Sequence, residues 1–210
     1  MKNGFLIAVE GIDGAGKTTQ VGLLEEFLRS RGVDVVRSKE PTDGPWGRKI
    51  RESATSGRLS LEDELAAFIE DRREHVRDVI RPALDAGKTV ILDRYFYSTI
   101  AYQGVRGANR LAVERQMIDE FPIPNIVLLL DVHEEVGLQR VRAGRGEVPN
   151  AFEQADTLRR CRDVFLMTAW QSSNFVIVDG DQSIEDVRNE ITGHIALNRG
   201  ISQTQTQPTL

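Results

Sequence analysis

The chain has 210 residues, of which 40% are hydrophobic and 28% are charged, and its formal net charge is −5 at pH 7. This is an ordinary globular balance, and the acidic charge argues against a general nucleic-acid binder, which usually has a basic surplus. The single cysteine, Cys161, leaves no disulfide framework and indicates a reducing compartment. Because no apolar run is long enough to span a membrane, we expect a cytoplasmic protein with neither nucleic-acid nor membrane partners.

Strand and helix patterns alternate along the chain. Apolar runs predict five strands, over residues 5–9, 33–38, 89–93, 125–132 and 175–179. Helical periodicity predicts a helix over 17–31 and a long helix over 61–86, which Pro82 bends or restarts. Since helices separate all the strands, we expect an α/β fold with a five-stranded parallel sheet covered on both faces. Residues 1–199 form this single domain, and the polar tail 200–210 is expected to be disordered.

The segment between the first strand and the first helix fits the phosphate-binding pattern G-x-x-x-x-G-K-[ST] without a mismatch. Successive backbone N–H groups can curl around a polyphosphate there, and the following helix adds its dipole. Lys17 would reach the β- and γ-phosphates, and Thr18 would ligate Mg²⁺. An ordinary glycine-rich turn is the alternative, but the flanking strand and helix argue against it. We therefore assign nucleotide binding to Gly11, Ile12, Asp13, Gly14, Ala15, Gly16, Lys17, Thr18 and Thr19.

Further candidate residues follow the predicted third strand, in the edge region where ligands of parallel sheets collect. Asp93 would join the Mg²⁺ shell, and Arg94 would hold a second phosphate, unless the two form an ordinary surface pair. Phe68 and Arg72 lie four residues apart and share a helix face, so they can stack on a base and bond its carbonyl. Taken alone, that pair is more often a core Phe and a surface Arg. One side of the same pocket can be lined by Ser98, Thr99, Tyr102 and Gln103.

Several motifs follow one another in order along the chain. They are the P-loop stretch from Glu10 to Thr19, Glu40-Pro41-Thr42, Phe68 with Arg72, Asp93-Arg94-Tyr95, Ser98, Ala101-Tyr102-Gln103-Gly104 and Phe152-Glu153. From about residue 5 to residue 190 this ordered set resembles the thymidylate kinase family. The resemblance implies a P-loop NTPase fold and transfer of the γ-phosphoryl group of ATP to dTMP. It also implies a homodimer.

The resemblance implies roles for individual residues in the acceptor site. Asp13 would accept a hydrogen bond from the deoxyribose 3′-OH, Arg94 and Arg51 would hold the dTMP phosphate, and Tyr102 would crowd the 2′ position. Contacts to thymine would come from Phe68 by stacking, from Arg72 at O4, and from Thr99 and Gln103 at the base edge.

A small mobile lid at about 140–150 is also implied. Arg142 and Arg145 would reach the transferring phosphoryl group, and Arg140 would contact the nucleotide or replace them. One subgroup of the family carries this arginine in the P-loop, where the chain has Gly14, so the lid must supply the charge. The chain lacks the arginine that usually precedes Phe152-Glu153 in the family, and Thr42-Asp43-Gly44 replaces the usual Gly-Gly after Glu-Pro.

The three histidines, His75, His133 and His194, match no catalytic position of the family, and we expect them at the surface or at helix ends.

Two other functions remain open. The chain could phosphorylate a different deoxynucleotide, or it could use ATP or GTP as a switch with no acceptor. The switch is disfavoured because the chain lacks an Asn-Lys-x-Asp guanine motif. It is also disfavoured because acceptor-site residues are present at 68–72 and 94–103.

Overall fold

The computed structural model describes residues 4–145 and 151–199, in which β-strands alternate with α-helices. The strands are β1 Phe5–Glu10, β2 Val35–Lys39, β3 Thr89–Asp93, β4 Ile126–Asp131 and β5 Phe175–Asp179. The helices are α1 Lys17–Ser30, α2 Pro45–Ser56, α3 Leu61–His75, α4 Arg81–Asp85, α5 Phe96–Val105, α6 Arg110–Glu120, α7 Glu134–Arg145, α8 Ala151–Trp170 and α9 Ile184–Arg199. The predicted lid residues 146–150 and the predicted tail 200–210 lie outside the described residues.

All five strands pair in parallel, in the order β2-β3-β1-β4-β5. Nearly every residue of β1, β3 and β4 is buried, whichever face of the sheet it points to. Burial on both faces requires helices on both sides, as parallel sheets generally have. The predicted fold class is therefore confirmed. Because β1 is central, the segment that follows it lies between the ends of β3 and β4.

The predicted long helix over 61–86 is divided in two by a wide turn. The α3 helix ends at His75, a π-helical turn follows over Val76–Ile80, and α4 begins at Arg81. The backbone N–H of Arg81 donates to the carbonyl of Val76, five residues back. Pro82 has no N–H, and its ring would clash with the carbonyl four residues earlier in a regular helix. The proline therefore restarts the helix, as the sequence predicted, but with a π turn that the sequence did not reveal.

The turn from β3 into α5 has unusual backbone geometry. Arg94 adopts a φ of 71°, a left-handed conformation that is uncommon for a residue with a side chain. Its backbone N–H donates to the carbonyl of Val9 at 3.0 Å, which ties the turn to β1. The turn thus places the Arg94 side chain and the start of α5 directly beside the segment that follows β1.

Two glycines allow α7 to approach the segment between β1 and α1. A Cβ atom on Gly14 would lie 2.0 Å from the carbonyl oxygen of Gly137, and one on Gly137 would lie 2.6 Å from that of Asp13. Neither position has room for a side chain.

Among the described residues, no helix is both long enough and apolar enough to cross a membrane.

Candidate active site

A cavity of about 360 Å³ lies over the phosphate-binding loop. Gly11, Gly14 and Gly16 adopt φ values of 141°, 81° and 90°, so the tight curl uses conformations open mainly to glycine. Gly16 is also the N-cap of α1, whose first backbone N–H groups face the loop. The cavity is lined by Asp13, Gly14, Gly16, Lys17, Thr18, Thr19, Lys39, Glu40, Asp93, Arg94, Arg140, Val141 and Gly144. The loop and the helix dipole together form a cradle for a polyphosphate.

The Lys17 side chain is buried within this cradle. Its Nζ donates to the carbonyl oxygens of Gly11 at 3.0 Å and Ile12 at 2.7 Å. Burial, together with the positive charge of the nearby Arg94, lowers the pKa of Lys17 to about 7. A phosphate placed in the cradle would favour the charged ammonium.

Thr18 and Asp93 offer two oxygen ligands at the edge of the cradle. The Thr18 hydroxyl donates to Asp93 Oδ2 at 2.5 Å, which joins the start of α1 to the end of β3. Within the described residues no group of three or more His, Cys, Asp or Glu side chains could hold a metal. A hydroxyl and one carboxylate nevertheless fit Mg²⁺, which usually takes few protein ligands and completes its shell with water and substrate phosphates.

Arg94 lies at the junction of this cavity and a second one. Its guanidinium donates to Asp13 Oδ1 and to Ser98 Oγ, the latter at 3.2 Å, and lies over the Tyr102 ring at 5.4 Å. Asp13, Glu40 and Arg94 line both cavities. The two cavities are therefore adjacent, and they meet at a positively charged side chain.

The second cavity, of about 250 Å³, is bounded by residues of α2, α3 and α5. All nine residues predicted to bind the acceptor line it: Asp13, Arg51, Phe68, Arg72, Arg94, Ser98, Thr99, Tyr102 and Gln103. Sequence reasoning missed other lining residues, which are Glu40, Pro41, Ile50, Ala54, Arg58, Glu64 and Tyr95. The sequence therefore located the pocket but not the two glutamates, Glu40 and Glu64, within it.

Arg72 is only 1% exposed, and protein groups already surround its guanidinium. Nε donates to Glu40 Oε2 at 2.8 Å, Nη2 to Thr99 Oγ1 at 3.0 Å, and Nη1 to the sulfur of Met117 at 3.2 Å. The second oxygen of Glu40 lies 3.0 Å from Nδ1 of His75. Arg72 is therefore not a surface arginine, which was the alternative interpretation of its pairing with Phe68. Its protein partners hold the guanidinium in place without a ligand.

Glu40 stays ionised although it is buried. Burial alone would raise the pKa of Glu40, but Arg72 and His75 outweigh it and hold the pKa below its ordinary value.

His75 ends α3, as expected of a helix-end position, but it is 4% exposed and its Nε2 lies 2.7 Å from Ser38 Oγ. His75 therefore lies at a helix end, as expected, but in the interior, where its ring pairs with the carboxylate of Glu40. An R-x-x-H spacing on one helix face was the available sequence signal.

Glu10 is a second buried carboxylate without a predicted role. It accepts hydrogen bonds from the backbone N–H of Tyr95 at 2.8 Å and from the Ser98 hydroxyl at 2.6 Å. Burial raises the pKa of Glu10 to about 7, against the hydrogen bond from Ser98 and the charge of Arg94. Glu10 therefore holds the start of α5 and, through Ser98, supports Arg94. A charged residue that ends an apolar strand was its only sequence signal.

The loop after β2 is held by contacts that account for its departure from the family pattern. The Thr42 hydroxyl donates to Asp71 Oδ1 at 2.6 Å, and the Thr42 backbone N–H donates to Asp71 Oδ2 at 2.8 Å. Arg51 donates to the carbonyl of Pro41 at 3.0 Å and to Asp43 at 3.1 Å. A threonine thus anchors the loop to α3 where glycine is usual in the family.

The three candidate lid arginines differ in position. Arg140 lines the cavity over the phosphate-binding loop and donates to the carbonyl of Gly180 at 2.9 Å. Arg142 is exposed. The side chain of Arg145 lies outside the described residues, as do those of Phe152 and Glu153.

A parallel α/β sheet, a phosphate-binding loop with its lysine, and the adjoining second cavity are typical of the class of P-loop phosphotransferases. The sequence model of the family described as thymidylate kinase matches residues 9–191. The chain belongs to the thymidylate kinase family.

Curated relatives agree with this assignment. A thymidylate kinase of Xanthomonas campestris pv. campestris (strain B100) is 49% identical over 184 residues, which cover 88% of this chain and 79% of that protein. One from Xanthomonas oryzae pv. oryzae (strain PXO99A) is 52% identical over 164 residues, 77% of this chain and 70% of that protein. One from Xylella fastidiosa (strain M12) is 46% identical over 192 residues, 90% of this chain and 86% of that protein.

The lowered pKa of Lys17 predicts that binding of ATP takes up a proton. Above pH 7 the buried amine is largely neutral, and the phosphates favour its charged form, so affinity should fall as the pH rises through and beyond about 7. Calorimetry at about pH 8, in buffers of different ionisation enthalpy, should show uptake approaching about one proton per site. Lys17→Met should remove most of this uptake. Identical heats in all buffers with the unmodified protein would contradict the prediction.

Proposed function

We propose that the chain transfers the γ-phosphoryl group of ATP to dTMP and gives dTDP and ADP. The observation that carries this proposal is the meeting of two cavities at Arg94. One contains the phosphate-binding loop, and the other is lined by all nine residues predicted to bind the acceptor. A donor and an acceptor bound in these cavities would place their phosphates side by side.

On the donor side, we propose that Lys17 and the backbone N–H groups of the loop bind the β- and γ-phosphates. Thr18 and Asp93 would hold Mg²⁺, which supplies charge neutralisation to the phosphate oxygens when bound. Phosphoryl transfer depends mainly on positioning and on stabilising charge, so the site needs no strong base. The pairing of Lys17 with loop carbonyls supports this role, because it keeps the amine inside the cradle.

On the acceptor side, Arg94 and Arg51 would hold the dTMP phosphate next to the donor cavity. The base would occupy the deeper part of the second cavity, between Phe68 and the side chains of Thr99 and Gln103. Asp13 and Tyr102 lie between the two ends, where the sugar would sit. The contact between the Tyr102 hydroxyl and the backbone N–H of Asp13, at 3.1 Å, supports the placement of these two residues together.

The family and the curated relatives do not favour a P-loop kinase of another deoxynucleotide, and the acceptor cavity disfavours a nucleotide-switch NTPase. We further propose a single kinase domain over residues 1–199, a homodimeric assembly and a cytoplasmic location. Family membership supports the assembly, and the lone buried Cys161 is consistent with a reducing compartment.

A coupled ADP-release assay with a panel of nucleoside monophosphates tests the proposed function. We expect dTMP to exceed dCMP by at least about tenfold in kcat/KM, because a buried polar group left unmatched costs about 1–3 kcal/mol. Equal turnover of dCMP or dGMP would refute the substrate, and ADP release that needs no acceptor would favour the switch.

Replacement of Lys17 should abolish transfer without unfolding the protein. Lys17→Ala removes the charge that neutralises the β- and γ-phosphate oxygens, so we expect a kcat loss of about 10³-fold or more. Thermal unfolding of the variant serves as the control for the fold. Near-normal turnover by a folded variant would exclude the phosphate-binding loop from the mechanism.

The lid arginines should act in the transition state rather than in dTMP binding. Arg142→Ala or Arg145→Ala should lower kcat and kcat/KM together and leave the dTMP dissociation constant nearly unchanged. Arg94→Ala should instead weaken dTMP binding, because it removes a phosphate contact made in the ground state. Steady-state kinetics and dTMP calorimetry separate these effects. If both lid variants keep normal kcat, Arg140, which already lines the donor cavity, becomes the residue to replace.

A further inference from the structure

Glu64 lies in the wall of the acceptor cavity and contacts three side chains. It is 5% exposed, and it lines the cavity together with Arg58 and Gln103. Its Oε2 accepts from Gln103 Nε2 at 3.1 Å and from Arg106 Nη1, and its Oε1 accepts from Arg58 Nε at 3.1 Å. Burial alone would raise the pKa of Glu64, but the hydrogen bonds from Gln103, Arg58 and Arg106 outweigh it and hold the pKa below its ordinary value. The carboxylate is therefore ionised.

An ionised carboxylate can only accept hydrogen bonds. The atom of the Gln103 carboxamide that faces Glu64 must therefore be the NH₂ group, because a carbonyl oxygen there would be repelled. This settles the orientation of the carboxamide on chemical grounds, although its nitrogen and oxygen are hard to distinguish by shape. The opposite atom, Oε1, is left to face a ligand in the cavity.

We propose that Glu64 is a specificity-determining positioning residue, which fixes Gln103 with its carbonyl oxygen toward the base and so selects pyrimidines with a hydrogen on N3. Thymine and uracil have an N3–H that can donate to Oε1, whereas N3 of cytosine is an acceptor that Oε1 repels. The proposal rests on the proposed function, since it concerns how the same pocket distinguishes acceptors. Arg72 can only donate hydrogen bonds, so it cannot accept from N3–H, whereas the carbonyl oxygen of Gln103 can.

Glu64→Met provides the direct test, because it removes the acceptor that faces Gln103 and Arg106 at nearly unchanged side-chain length. Without that acceptor the Gln103 carboxamide can reverse and present its NH₂ group to N3 of cytosine. We expect the ratio of kcat/KM for dTMP to that for dCMP to fall by about tenfold or more. The ratio of dTMP to dUMP should not change, because both bases carry N3–H.

Matched variants distinguish polarity from a general structural effect. Glu62→Met makes the same change at an exposed position of the same helix and should keep both ratios. Glu64→Asp retains an acceptor-only carboxylate and should keep discrimination against dCMP even if turnover falls. In a Gln103→Leu background, Glu64→Met should leave the ratio of dTMP to dCMP unchanged, since the group through which it acts is gone.

The outcomes separate this proposal from the proposed function. Absence of dTMP kinase activity in the unmodified protein would refute the function itself. With that activity present, a parallel loss for dTMP, dUMP and dCMP in Glu64→Met, or a changed ratio in the Gln103→Leu background, would overturn the role of Glu64. If Glu64→Met does not fold, a crystal structure of the unmodified protein with dTMP decides. We expect the Gln103 carboxamide to bridge Glu64 and N3 of thymine, and N3 bonded to any other residue would overturn the proposal.

Discussion

The site depends on ionisable groups that are buried at the carboxyl edge of the sheet. Glu10, Lys17, Glu40 and Arg72 are each 6% exposed or less. A buried charge is costly unless it is paired and hydrogen-bonded, so each of these side chains constrains its neighbours. The geometry of the two cavities follows from these pairings as much as from the backbone.

Three buried glutamates divide this work between them. Glu10 holds the start of α5, and through Ser98 it supports Arg94 at the junction of the cavities. Glu40 holds Arg72, and Glu64 holds Gln103. Each carboxylate fixes a side chain that faces the acceptor cavity, without itself having to contact a substrate. Pre-set side chains lose less conformational freedom on binding, so the acceptor cavity is organised before a ligand enters it.

Much of the fold could be predicted because its signals are local. Apolar runs gave the bounds of β3 and β5 as the structure has them, and alternation with helices gave the parallel sheet. The glutamates could not be assigned because their partners are distant in the chain: Glu10 and Tyr95 are 85 positions apart, and Glu40 and Arg72 are 32 apart. Periodicity within one element carries no information about such pairs. The π turn before Pro82 was missed for a different reason, since a proline predicts a break in a helix but not its form.

The contact between Gly14 and Gly137 gives a physical reason for placing the transition-state arginine outside the phosphate-binding loop. Gly14 has a φ of 81°, and a Cβ there would lie 2.0 Å from the backbone carbonyl of Gly137, an atom that cannot rotate away. An arginine at position 14 would therefore require α7 to move off the loop. Because α7 instead packs against the loop, two of its residues, Arg140 and Arg142, extend from a fixed point beside the phosphate-binding loop. The close contact between Gly14 and Gly137 leaves no room for an arginine in the loop. The same contact fixes the position of α7, the helix that carries Arg140 and Arg142.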